Sequence, residues 1–88
     1  MYPFMQLEDN TEIVHSEVLD NDRVKVYIEK PIEGGFQSAV CYLPDYQWQE
    51  IEGFGEDDIA GFREIIESTA HLIIQFARDG GFDSAVNF

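Results

Sequence analysis

Apolar residues recur along the chain with two different periods, and the change of period divides it. Between Arg23 and Glu29, Val24, Val26 and Ile28 alternate with Lys25 and Tyr27, the pattern of a strand with one buried face. From Phe54 to Gly81 the spacing lengthens to that of a helix. At about 100° per residue, Ile59, Phe62, Ile65, Ile66, Thr69, Ala70, Leu72, Ile73, Phe76 and Ala77 fall on one side. Glu64, Glu67, Ser68, His71 and Gln75 fall on the other, and Ile74 stands on the flank. Phe62, Ile66 and Ile73 mark the centre of the apolar side and are the expected core.

The helix has a written start and stop. Gly55 is a tolerable N-cap, and Glu56, Asp57 and Asp58 place carboxylates at the positive end of the helix dipole. Phe54 and Ile59 have the spacing of a hydrophobic staple. Arg78 lies in the last turn, and Gly80 suits the left-handed residue that ends a helix.

Upstream, Glu12 to Leu19, Arg23 to Glu29, Phe36 to Leu43 and Tyr46 to Ile51 read as strands. Between them Asp20-Asn21-Asp22 reads as a turn, Pro31 to Gly35 as a loop with a tight bend or bulge at Gly34-Gly35, and Pro44-Asp45 as the two centres of a type I turn. A three-residue loop at residues 20–22 would pair Val18 with Val24, Glu17 with Lys25 and Val14 with Ile28, joining like faces and opposite charges. A two-residue turn at Pro44-Asp45 would set Trp48 opposite Cys41. Tyr2 to Leu7 is apolar with one proline and fits either packing on the sheet or fraying.

The fold expected is α+β, a two-layer sandwich with an antiparallel sheet of three to four strands followed by one long C-terminal helix. Its 88 residues make a single domain. Residues 1–10 are read as an N-terminal arm, 11–52 as the sheet, 55–80 as the helix and 81–88 as a tail. In the tail, Phe82, Val86 and Phe88 are candidates to dock on the core.

The apolar side of the helix covers roughly half its circumference, wider than the ~100° stripe that faces one core. Ile65, Leu72 and Ile74 are therefore candidate partner-binding residues. Tyr46 and Trp48 join them as aromatics that would either cover the core edge or form an exposed platform. A homodimer is the expected use of such a surface.

Charge narrows the choice of partner. Asp and Glu number 18 against 5 Lys and Arg, a formal net charge of -13. Nucleic-acid affinity rests mainly on phosphate contacts from a basic face, so direct nucleic-acid binding is not expected, and neither is attachment to an anionic membrane. A basic protein partner fits the sign. Glu50, Glu52, Glu56, Asp57 and Asp58 form a helix start and solvated rim, or the contact surface for that partner. Cys41 is the only cysteine, so no internal disulfide is expected, consistent with a reducing cytoplasm.

No motif reads as chemistry. Neither His15, in a strand, nor His71, on the polar helix face, is visibly paired with a nucleophile; Ser16, Ser38, Cys41 and Asp45 could be assembled on paper into a site, but no signature surrounds them. Asp20-Asn21-Asp22 lacks the later glycine and bidentate glutamate of a calcium loop. Gly34-Gly35 lacks the lysine and following helix of a phosphate cradle. No catalytic residue, cofactor or metal is expected.

The order of these elements resembles the partial RNase H-like fold of HicB-type antitoxins and their stand-alone relatives. The resemblance runs through Val24-Lys25-Val26-Tyr27-Ile28-Glu29, Gly34-Gly35-Phe36 and Leu43-Pro44-Asp45, and closes on Glu56-Asp57-Asp58. It covers roughly Arg23 to Gly80. The chain has Tyr46-Gln47-Trp48 where those proteins usually carry a second turn of the proline-glycine kind, and it ends before a DNA-binding module could follow. The resemblance implies neutralisation of a small basic toxin, without operator binding. The alternatives are an acidic nucleic-acid mimic that blocks a nucleic-acid-binding protein, and a stand-alone domain without catalytic activity.

Overall fold

The computed structural model describes residues 1–80. Five strands form one sheet in chain order: β1 (Tyr2–Gln6), β2 (Glu12–Val18), β3 (Val24–Ile32), β4 (Gly35–Leu43) and β5 (Gln47–Glu52). Each is antiparallel to the next. Helix α1 (Glu56–Asp79) follows and covers one face. The fold is α+β, with five strands rather than three to four.

The extra strand is the segment read as an arm. Tyr2 and Pro3 pair with His15 and Val14, and Met5 and Gln6 pair with Ile13 and Glu12. Phe4 is an additional residue between the two pairs, a bulge that breaks the alternation and so hides the strand in the sequence. Its ring sits 6.1 Å from that of Phe76, tying the edge strand to the helix. Pro3 costs the ladder little because β1 is an edge.

The register of β2 on β3 also differs from the expected one. Val18 does face Val24, but Ile13 faces Ile28 and Val14 faces Tyr27. A bulge at Ser16 and Glu17 takes up the extra residue. The Ser16 hydroxyl accepts the Lys25 backbone N–H at 2.9 Å, closing the gap. As a result Ile13 and His15, rather than Val14, enter the core.

The β4–β5 register sets Trp48 opposite Cys41, as the Pro44-Asp45 turn predicts. The turn carries a cis Leu43–Pro44 bond, and Tyr46 has φ 54 and precedes the strand instead of starting it. Glu50, at φ 50, is the bulge where β5 bends.

The helix has the predicted ends. The Gly55 N–H donates to Asp58 Oδ2 at 2.9 Å, and Gly80 takes φ 84 with its N–H on the Phe76 carbonyl. Ile66 and Ile73 are fully buried and Phe62 nearly so, against Val24, Val26, Ile28, Ala39, Cys41 and Leu43. Arg63 and Glu67 pair at 2.6 Å on the solvent side. The expected docking of Phe82, Val86 and Phe88 lies outside the described residues.

Candidate functional site

The five residues named as candidate partner contacts do not lie on one continuous face. Ile65, Ile74, Tyr46 and Trp48 are partly buried and pack against the core. Leu72 alone among them is exposed, at 37%. They also lie on opposite flanks. Ile65 lines a groove with Asp9 and Lys30, whereas Ile74 lines another with Val18 and Pro44. Trp48 faces the helix side because it shares a row with Cys41, and its Nε1 is out of solvent with no acceptor among the described residues. Arg63 stands 5.9 Å over the Tyr46 ring. Both aromatics therefore sit at the core edge.

The polar groups considered for chemistry are likewise separated. Tyr2, His15, Val26, Cys41 and Trp48 form one row across the sheet. His15 and Cys41 are thus two strands apart, about 10 Å at ordinary strand spacing, beyond hydrogen-bond reach. The fully buried His15 places Nδ1 2.9 Å from the Ser16 carbonyl, not the hydroxyl, and its ring lies 5.7 Å from that of Tyr2. Burial pushes the Cys41 thiol up to about 11, so it is a neutral core group at physiological pH. Asp45 is held 3.2 Å from Arg23, whose guanidinium also stacks 4.3 Å above Tyr42 and donates to Gln47 at 2.7 Å. Among the described residues no group of three or more His, Cys, Asp or Glu is arranged to hold a metal ion.

The feature that stands out lies at the other end of the sheet. Strands β3 and β4 have nine residues each and outrun their neighbours. The ladder to β2 ends at Glu12–Glu29, and that to β5 at Ser38–Glu52. Beyond these pairs the hairpin continues as a two-stranded ribbon, with Lys30 opposite Gln37, Pro31 opposite Phe36 and Ile32 opposite Gly35. Its base is braced on both sides. Lys30 reaches Asp9 at 3.4 Å, and the Gln37 amide donates to the Gly53 carbonyl at 3.1 Å. Gly53 has φ 88, and a Cβ there would come within 2.8 Å of the Gln37 side chain, so the brace requires glycine. Every residue from 31 to 36 is exposed. Phe36 is 62% exposed and Ile32 44%, with Ile51 also 44% exposed at the end of β5.

Carboxylates surround this tip. Glu12, Glu29 and Glu52 stand in one row across the sheet. Glu33 is in the hairpin turn, Glu8 and Asp9 are in the β1–β2 turn, and Glu50 is at the β5 bulge. The helix begins at the same end, because Gly53 meets Gln37 and because Asp57 and Asp58 share a groove with Asp9 and Lys30. Among the described residues of these segments Lys30 is the one cation, and Asp9 already pairs with it. The Thr11 side chain and backbone N–H hold the Asp9 carboxyl below its ordinary 3.8, with Lys30 adding to the effect. Tyr27 donates to Glu29 at 3.0 Å, and burial followed by that carboxylate raises the phenol.

The sequence marks part of this pole, Glu50, Glu52, Glu56, Asp57 and Asp58, as a contact surface for a basic partner, but not its apolar members Ile32 and Phe36. The sequence signal was masked, because Pro31 and Gly34-Gly35 make residues 31–35 read as a loop, whereas β3 runs to Ile32 and β4 starts at Gly35. Two long strands joined by a tight turn, between shorter ones, must project, and a projecting ribbon cannot bury Ile32 or Phe36.

Comparison of the chain with protein-family models, curated proteins and solved structures finds no significant match. Among the described residues no helix is long and apolar enough to cross a membrane.

Proposed function

We propose that this domain is a small acidic protein-binding module whose partner is a basic protein. The observation that carries the reading is the acidic pole, where carboxylates of the β1–β2 turn, β2, the β3–β4 hairpin, β5 and the helix start gather around exposed apolar residues and, among the described residues of these segments, the one cation is already paired. Like charges held this close repel one another in the compact state. A basic partner relieves that repulsion, and its apolar groups cover Ile32 and Phe36.

The resemblance to HicB-type antitoxins gives the reading a specific form, the neutralisation of a small basic toxin. A catalytic role, direct nucleic-acid binding and membrane attachment have no part in it. The rival reading, a mimic of nucleic acid, calls for acidic groups at phosphate-like spacing with little apolar contact. Exposed Phe36 and Ile32 among the carboxylates favour the protein-binding reading.

The test is capture from the native host followed by reconstitution with the purified partner. The expected partner is basic, binds after nuclease treatment and weakens with salt. A nucleic-acid-binding protein that duplex DNA releases from the domain would support the mimic instead. An acidic partner would sink both readings.

A further inference from the structure

We infer that the ribbon formed by residues 31–36 is the anchor of that interface, and that it takes a basic amphipathic segment of the partner. The inference rests on the protein-binding reading and adds the surface and the chemistry that fits it.

A single exposed hydrophobic residue is ordinary on a soluble protein. Three facts set this ribbon apart. First, its length is not needed by the sheet, since neither neighbour pairs with residues beyond Glu29 and Ser38. Second, it is held out rather than loose. The Lys30–Asp9 ion pair and the Gln37–Gly53 hydrogen bond fix its base, and Gly34 at φ 84 closes the turn. A preformed anchor loses little conformational freedom on binding. Third, the base of the ribbon carries a like-charge pair. Glu12 and Glu29 face each other directly in the ladder, a like-charge pairing that costs stability.

Alternation divides the side chains between the two sides of the ribbon. Phe36 and Pro31 lie on the face away from the helix, and Ile32 lies on the helix side. A segment laid across the tip meets Phe36 as its buried aromatic anchor. Lysines or arginines flanking its apolar stripe then reach Glu29 and Glu33 on one side and Glu52, which shares that face, on the other. An apolar segment without charge gains only the first contact, and a charged one without an apolar stripe gains only the second.

The probes are two synthetic peptides of equal length and charge, a lysine-leucine amphipathic helix and a lysine-serine peptide with serine in place of every leucine. Binding is measured by calorimetry at low and moderate salt for the wild type, Phe36→Ser and Glu33→Gln/Glu52→Gln. These positions are exposed, and unchanged thermal melts would show that the fold is kept. The amphipathic peptide should bind at least tenfold more tightly than the lysine-serine peptide. Phe36→Ser should remove most of that advantage, while the double glutamine variant should weaken both peptides and flatten the salt dependence. Equal binding of both peptides, indifferent to Phe36→Ser, would overturn the ribbon as anchor while leaving a basic partner standing. Binding of neither peptide would overturn both.

Discussion

Glu12 of β2 stands directly opposite Glu29 of β3 at the last pair of their ladder. Two carboxylates in that position repel, and cross-strand pairs are worth about 0.2–1 kcal/mol. Glu12→Lys should therefore stabilise the domain by about that amount, read from urea midpoints at constant slope. The same variant should bind the basic amphipathic peptide more weakly. A loss of stability would mean that the pair is not a source of strain.

The helix face makes a sharper stability prediction. Ile66 and Ile73 are fully buried, and truncating either to alanine should cost about 2–5 kcal/mol. Glu64→Ala and Glu67→Ala should stay within about 0.5 kcal/mol, even though Glu67 pairs with Arg63, because that pair is exposed. Equal costs for the two sets would reverse the assigned face.

These two cases show what the sequence carries and what it does not. Helix α1 was legible from cap to cap because Gly55, the acidic first turn and Gly80 act locally. Strand β3 was legible because nothing interrupts Val24, Val26 and Ile28. Strand β1 and the β2 register were not, because the bulges at Phe4 and at Ser16–Glu17 arise from cross-strand contacts that no local pattern announces. The same limit applies to the site. Trp48 reads as a platform until its row is known, and Phe36 reads as an ordinary strand residue until the ends of β2 and β5 are known.

Alkaline pH should destabilise the fold through Cys41. In the unfolded chain the thiol ionises near 9.0, whereas burial delays this in the folded protein to about 11. The contribution is fully present below 9.0 and is lost as pH rises through about 11. Tyr27 acts in the same direction, so Cys41→Ala isolates the thiol by reducing the loss. A thiol reagent should be slow on native protein and fast in denaturant. Rapid labelling of the native state would contradict the burial.

Self-association, proposed from the width of the apolar helix face, has a discriminating pair of variants. Leu72 is exposed, whereas Ile74 is partly buried against the core. Leu72→Glu should abolish a dimer without loss of stability, and Ile74→Glu should destabilise the monomer itself. Light scattering at moderate salt reads the mass. A wild type that stays monomeric would remove the homodimer and leave Leu72 as an isolated surface residue.

The most direct test of the acidic pole as a binding site is amide hydrogen exchange with and without the basic amphipathic peptide. Slowed exchange is expected at residues 32–37 and 50–53, with Gln47 and the Ile74 flank unchanged. Slowing centred on Tyr46, Trp48 and Ile74, with the ribbon unaffected, would contradict it.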